Sequence, residues 1–404
     1  MTSAVAWLDY DDEQRRRMRD VVHMFRDEGA VDELGIGRMR DAFSDRLFPG
    51  TSVLWNRARY LLFVPWVYML LERGEDGAGS AEDRARRLQR RLAKELRASA
   101  GGGSGVIGAS GADVKQTPDV ILWAALEAWG VRRDRGGLGQ VRELAAGRAG
   151  RNRIFEAEEQ RHRGIWDPRV ERMLPEGFPA NASFALTDEE AAFLADSMIA
   201  EDALPGSPAA RRADSLLTVL IREGSPTNVG VPWKHPMATA SAGLRAAARH
   251  AGLFADLMAG ARLLYAELVA LSRGDQDELS AEIEVAFAGW SALRDERLVE
   301  LRDWAEEPED FWLTVREINP NISDREERFV RGWADVALAD PATVRDSRAA
   351  RRLILEREHQ AKGARARLGI DGSIGRDAKA VLPRQFTFRW DQAKQIAADI
   401  NQGH

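Results

Sequence analysis

The stretch Tyr60-Leu-Leu-Phe-Val-Pro-Trp-Val-Tyr-Met-Leu-Leu71 carries no charge and is the longest apolar run in the chain. A bilayer-crossing helix needs about 20 apolar residues, so this run reads instead as a buried core helix. Thr51 or Ser52 is placed to cap it. From there Trp55, Tyr60, Phe63, Trp66 and Tyr68 recur at spacings that keep aromatic rings on an inner face, with Pro65 as a kink. Upstream, helical periodicity predicts helices over about Asp11 to Glu28 and Ile36 to Phe48, the second stopped by Pro49-Gly50.

Downstream the same periodicity persists. An Arg-rich amphipathic helix is predicted over Ala81 to Arg97, then a flexible Gly-rich run from Ser99 to Gly111. Thr117-Pro118-Asp119 is a helix start, with the cap at Thr117. That helix carries Trp123 and Trp129 and ends at Gly130. A Gly- and Arg-rich connector to about Gly150 leads to a short helix ending near Gly164, and a proline-punctuated loop follows from Asp167 to Pro179. Thr187-Asp-Glu-Glu190 is a capping box that opens a second helical half. Its helices are predicted at Asp188 to Asp202, Pro208 to Arg222, Met237 to Ser272, Gln276 to Glu306, Pro308 to Ile318 and Asp324 to Ala339. A basic helix from Ala342 to Leu368, the arm Gly369 to Pro383, and a segment with Phe386, Phe388, Trp390 and Ile396 complete the chain.

Alternating β-patterned runs are nearly absent, so the fold class is all-α, a multi-helix bundle in two packed helical halves with a basic C-terminal helix and arm. Five segments organise it: an N-terminal helical region (1–98), a Gly-rich loop (99–116), a middle helical region (117–180), a helical bundle (181–341), and the basic helix with its arm (342–404). The 404 residues, 44% hydrophobic and 30% charged, suffice for more than one core. Without cysteine the chain has no disulfide, thiolate nucleophile or Cys-ligated metal. No secretory signal or membrane segment is expected, and a cytoplasmic location fits.

The net charge of −6 is unevenly spread. Arg84 to Arg153 holds 15 basic against 6 acidic residues, and Arg345 to Lys394 holds 13 against 6. Arg273 to Asp340 holds 8 basic against 19 acidic. Such segregation marks either a nucleic-acid footprint or an acidic face docking a basic one inside the fold. Arginine outnumbers lysine 52 to 6, which suits phosphate forks but is also what a GC-rich genome produces.

Chemical motifs fail on context. Gly103-Ser-Gly105-Val-Ile-Gly108 matches the dinucleotide-binding glycine pattern, yet a helix rather than a strand precedes it. The pairs Glu159/His162 and Glu356/His359 have the Glu-x-x-His spacing of di-iron bundles, but arginines flank them and no second pair of inward glutamates accompanies them. The cluster Asp9, Asp11, Asp12 reads as a solvated helix start. No nucleophile elbow or Walker loop is present, and no metal or cofactor is expected. Positive candidates are basic. Ile36 to Phe48 and Thr51 to Tyr60 have the outline of a helix-turn-helix, in which Trp55, Asn56, Arg57 and Arg59 would reach a groove; a structural hairpin is the competing reading. Arg84, Arg86, Arg87, Arg90, Arg91, Lys94 and Arg97 on one helix, and Arg348, Arg351, Arg352, Lys362, Arg365 and Arg367 near the C-terminus, are candidates for sequence-independent phosphate contacts or else a solvated face. Phe386, Phe388 and Trp390 would stack on bases or dock in the core.

The blocks Ala6-Trp-Leu-Asp-Tyr10, Asp32-Glu-Leu-Gly-Ile-Gly-Arg-Met-Arg-Asp-Ala-Phe-Ser-Asp-Arg-Leu-Phe-Pro-Gly-Thr-Ser52 and Arg57-Ala-Arg-Tyr-Leu-Leu-Phe-Val-Pro-Trp-Val-Tyr68 resemble an uncharacterised bacterial family, a domain of unknown function. Gly105-Val-Ile-Gly108, the Pro118 to Gly130 helix, Gly363-Ala-Arg-Ala-Arg-Leu368 and Phe388-Arg-Trp390 extend the resemblance over most of the chain. The chain departs from it at Asp371 to Pro383, where members carry a Trp- and Gly-rich stretch. The resemblance implies an accessory protein encoded beside helicases and phospholipase-D-like nucleases in antiphage defence clusters. It supplies no catalytic residues. The expectation is a non-catalytic, nucleic-acid-associated or scaffolding subunit with a helicase or nuclease partner and DNA or RNA on its basic helices. Two alternatives stay open: an enzyme built on residues such as Glu156, Glu158, Glu159 and His162, and a protein-only adaptor.

Overall fold

A computed structural model describes residues 32–74, 78–99, 104–108, 116–134, 136–151, 164–199, 207–224, 228–273, 278–339, 344–368 and 382–403. Among these residues sixteen α-helices form and no strand. The first nine are α1 (Gly37–Leu47), α2 (Tyr60–Arg73), α3 (Ala81–Ala98), α4 (Pro118–Ala128), α5 (Leu138–Arg151), α6 (Pro168–Arg172), α7 (Asp188–Ile199), α8 (Pro208–Ala213) and α9 (Leu216–Glu223). The rest are α10 (Ala242–Arg273), α11 (Glu278–Glu296), α12 (Leu298–Glu306), α13 (Glu309–Ile318), α14 (Asp324–Ala339), α15 (Arg348–Lys362) and α16 (Trp390–Gln402). The all-α expectation is met. None of the described helices is long and apolar enough to cross a membrane.

The chain divides into two compact units, each assembled from separate stretches of sequence. The described part of the first lies within Phe48–Asn228 and Arg389–His404, that of the second within Arg26–Leu47 and Val229–Phe388.

In the first unit α2 is buried over its whole circumference from Tyr60 to Leu71. A helix without a polar face has to be enclosed by others, and α3, α4, α5 and α6 surround it. Phe63 stacks on Phe178, Trp66 meets Phe178 edge-on, and the Trp66 indole donates to the Val170 carbonyl at 2.9 Å. Gly74 ends the helix in the left-handed region that glycine tolerates, its N–H directed at the Leu70 and Leu71 carbonyls. A second group, α7, α8, α9 and α16, completes the unit. The expected capping box is formed: Glu190 N–H donates to Thr187 Oγ1 at 3.2 Å, and Thr187 N–H to Glu190 Oε2 at 2.9 Å. Asp399 of α16 accepts from Arg57 Nε and Ala58 N–H, both at 2.9 Å.

The second unit is built along α10, whose 32 residues contact α1, α11, α12, α14 and α15. Small residues let aromatic rings lie against its backbone. Gly252 faces Trp233 and Gly260 faces Trp290. Trp290 and Trp333 donate their indole protons to the carbonyls of Asp256 and Leu257, at 2.8 and 2.9 Å. Trp304 Nε1 donates to His250 Nδ1 at 3.0 Å, which requires that nitrogen to be unprotonated. His250 is buried; burial first, then the neighbouring Arg249, lowers its pKa to about 4, against the opposing pull of Asp310.

Several sequence boundaries are corrected. Residues 51–59 are not helical: α2 starts at Tyr60, and Thr51 Oγ1 donates to the Phe48 carbonyl instead of capping a helix. The connector before Gly150 is the helix α5, which buries Leu138, Val141 and Ala145 at helical spacing despite its glycines. Thr117 precedes α4, but its hydroxyl bonds Asp119 Oδ1 rather than a backbone N–H. The helix predicted over Pro208 to Arg222 breaks at Asp214, because Ser215 caps α9 by accepting from Thr218 N–H at 3.2 Å. Gln276 to Glu306 is interrupted at Arg297, Met237 begins inside a 3-10 turn (Pro236–Thr239), and the basic helix is confined to α15. The predicted Asp11 to Glu28 helix, most of the short helix before Gly164, and most of the Gly369 to Pro383 arm lie outside the described residues.

Two outcomes follow. Gly260→Ala pushes a methyl group into the Trp290 ring and is expected to cost about 1–3 kcal/mol in a urea titration, whereas Gly289→Ala, with open space around it, is neutral or stabilising by up to about 1 kcal/mol. The folded state takes up a proton on His250 only near pH 4 and the unfolded chain already near 6.5. Stability therefore falls as pH drops through that window, by about 3 kcal/mol in all. His250→Gln keeps an acceptor for Trp304 without the titration, so its stability should vary less between those pH values; an unchanged pH profile would refute the assignment.

Candidate nucleic-acid interface

Helix α3 is strongly two-faced. Ala81, Ala85, Leu88, Gln89, Leu92 and Leu96 are buried, while Arg87, Arg90, Arg91, Lys94 and Arg97 are exposed. Positions 87, 90, 91, 94 and 97 follow the i, i+3, i+4, i+7 rule, so the five cations share one face over about 15 Å of helix. Two of the three acids of this helix, Glu82 and Asp83, sit in its first turn, where the N-terminal dipole favours them, and the third, half-buried Glu95, lies near its other end. Ser80 caps that turn by accepting from Asp83 N–H at 3.2 Å. Arg86 pairs with Glu82 at 3.2 Å, and half-buried Arg84 donates to the Leu71 carbonyl. At the two ends of the face, Arg87 donates to the Ala78 carbonyl at 2.6 Å and Arg97 to that of Gly108 at 2.7 Å. Both of these contacts are with neutral backbone carbonyls.

The other basic candidates are placed differently. Without a helix over 51–59 the helix-turn-helix outline does not form. Trp55 and Arg59 are buried; Arg59 pairs with Glu190 at 2.7 Å and donates to the Ser183 carbonyl. Arg57 is held by Asp399 and lies over the Phe184 ring. Both arginines therefore serve the interior of the first unit.

In the second unit the C-terminal set is split. Arg348, Arg352 and Arg365 are exposed, with Arg352 on Glu356 at 2.6 Å, and Arg351 donates to the Arg345 carbonyl. Lys362 and Arg367 instead converge on Glu33. Behind them fully buried Glu358 accepts from Tyr265 Oη at 2.8 Å and from the backbone N–H groups of Arg367 and Leu368. Burial, with Arg367 nearby, lowers the Lys362 pKa to about 8. This cluster folds residues 363–368 back on α15 and is a structural clamp.

The remaining motifs take up structural positions. Gly105, with a positive φ of 81°, lets the loop approach Asn56, whose Oδ1 would lie 2.8 Å from an added Cβ. Ile107 N–H donates to Tyr60 Oη at 2.9 Å, and burial pushes that phenol up to about 12. The loop is thus packed onto the start of α2. His359 Nε2 lies 2.6 Å from the Leu368 carbonyl, and its motif partner Glu356 is turned to Arg352. Phe386, Phe388 and Trp390 are all buried. Asp9, Asp11, Asp12, Gly103, Glu156, Glu158, Glu159 and His162 lie outside the described residues. Among the described residues no three His, Cys, Asp or Glu side chains are grouped to hold a metal.

One buried ionic centre escaped sequence reasoning. Asp119, fully buried, accepts from Tyr68 Oη at 2.9 Å, Arg142 Nη2 at 2.7 Å and Val120 N–H at 2.9 Å, while its own N–H donates to Gln89. Burial and the Asp119 charge hold the Tyr68 phenol well above its ordinary range. With both carboxylate oxygens occupied, the centre joins α2, α3, α4 and α5 rather than offering a reactive group. The signal was present in the Pro118-Asp119 start, but its partner Arg142 lay in a stretch read as connector.

No curated protein and no solved structure matches the chain. A family model does, over residues 2–403. By that near-complete match the chain belongs to DUF6361, a family of unknown function.

Proposed function

We propose that this protein is a non-catalytic, nucleic-acid-associated or scaffolding subunit of a bacterial antiphage defence system, acting with a helicase or nuclease partner. The observation that carries the nucleic-acid part is the exposed cationic face of α3, Arg87, Arg90, Arg91, Lys94 and Arg97. A row of cations on one helix face neutralises successive phosphates and releases condensed counterions, a contact indifferent to base sequence. The exposed Arg348, Arg352 and Arg365 of the second unit are secondary contacts in this reading. The defence setting and the partner come from the resemblance to proteins encoded beside helicases and nucleases.

Anisotropy titrations of labelled duplex and single-stranded oligonucleotides between about 50 and 200 mM salt test it. Affinity should fall steeply with salt. The triple variant Arg87→Glu, Arg90→Glu, Arg91→Glu should lose most binding and flatten the log–log salt slope by about 3. Arg172→Glu, an exposed arginine elsewhere in the first unit, should behave as wild type. Wild-type protein that binds neither DNA nor RNA at the low-salt end would sink the nucleic-acid reading.

A further inference from the structure

Where α12, α13 and α14 meet, the second unit has a cleft of about 270 Å³. Its lining is half apolar, from Trp304, Pro308, Phe311, Trp312, Val330 and Ala334, and half polar, with Arg331 and Asp335 as its charged groups. Phe311 locks the aromatic wall, meeting Trp304 and Trp312 edge-on at 4.9 and 4.7 Å. The volume falls below that of pockets for cofactors or drug-sized ligands, about 300–1,000 Å³, and suits a single large side chain.

Two features indicate what such a side chain must be attached to. The first is a donor: Trp312 is 2% exposed, and its indole N–H has no partner among the described residues. By contrast, Trp290, Trp304 and Trp333 of the same unit all have theirs satisfied. Trp55, Trp129 and Trp166 share the deficit, but Trp312 is the one that lines the cleft. An unpaired buried donor costs about 1–3 kcal/mol, and this one, closed to solvent at rest, meets a ligand's carbonyl only if the ring moves.

The second is charge. Arg331, the cation of the cleft, is already held by Glu327 at 2.7 Å and Glu309 at 3.3 Å. Asp335 has no ion pair among the described residues and is exposed, as are Asp303, Glu306 and Asp310 on the helices that form the walls and Glu307 between two of them. Residues 298–339 carry 11 acidic against 5 basic side chains. Phosphates are repelled from such a surface and cations attracted. The same helices also expose Val299 and Leu313, 75% and 68% accessible, giving apolar surface beyond the cleft.

We infer that this cleft docks a basic segment of a protein partner, with one apolar side chain seated against Trp304, Phe311 and Trp312 and flanking Lys or Arg residues facing Asp335 and Glu306. The flanking cations make the choice of partner specific and hasten encounter. This deepens the scaffolding half of the proposed function and rests on it; the Arg87 to Arg97 face belongs to the other unit and is tested separately.

The probe is a short fluorescein-labelled peptide with one leucine between paired lysines, titrated into the full chain, with its glutamate counterpart as the opposite-charge control. The lysine peptide should bind and shift the Trp312 indole N–H resonance, which Trp312→Phe identifies by its disappearance. Ala334→Leu, which fills the cleft, and the surface pair Glu306→Lys with Asp335→Lys should each weaken binding about tenfold or more. Absence of binding by the lysine peptide overturns the inference, as does equal binding to the filled-cleft variant or an unmoved Trp312 resonance, both signs of diffuse charge attraction. A preference for the glutamate peptide would do the same. Oligonucleotide titrations of the same samples separate the two ideas: DNA binding without peptide binding removes only this cleft, and the reverse removes only the cationic face.

Discussion

Tyr60 to Leu71 must leave water on every side at once, and the first unit is organised around that demand. An amphipathic helix needs one neighbour, but a helix buried over its whole circumference needs a ring of them, each offering an apolar stripe. Helices α3, α4, α5 and α6 form that ring. Their own polar residues are in turn drawn inward, which is why the buried Asp119 has to be satisfied by Tyr68, Arg142 and backbone N–H groups. The outward face of α3 is the complement of this arrangement. Once Leu88, Leu92 and Leu96 are turned to α2, the arginines between them have nowhere to point but solvent.

Arginine is used in two ways. Arg59, Arg294 and Arg357 are buried and bind carboxylates or carbonyls, and aromatic rings lie beneath all three. The guanidinium suits these sites because its flat, weakly hydrated faces stack while its edge donates. The exposed arginines of α3 look identical in composition but act on the outside. Charge counts along the sequence therefore mix an interior population with a surface one.

This explains what was legible in the sequence. The helical class, the capping box at Thr187 and Glu190, and the two-faced pattern of α3 follow from local periodicity and local hydrogen bonds, and all three are present. Pairings over long sequence separations were not legible. Arg57 and Arg59 looked like surface residues of a recognition helix until Asp399 and Glu190, 342 and 131 positions away, claimed them. Lys362 and Arg367 likewise looked basic and free until Glu33 met both. The glycines of α5 masked a helix whose stability comes from packing rather than propensity. The Trp304, Phe311 and Trp312 cleft is a product of three helices meeting, and no single stretch of the chain announces it.

The first unit draws α16 from residues that follow the entire second unit in the chain. During synthesis its earlier helices leave the ribosome long before Asp399 exists, so Arg57 and the Ala58 N–H wait without their acceptor while the second unit is made. At about 5–20 residues per second, the 160 residues of Val229–Phe388 impose a delay on the order of ten seconds. This helix, made after the whole second unit, therefore acts as a latch on the first unit, and the order of translation sets when that unit closes.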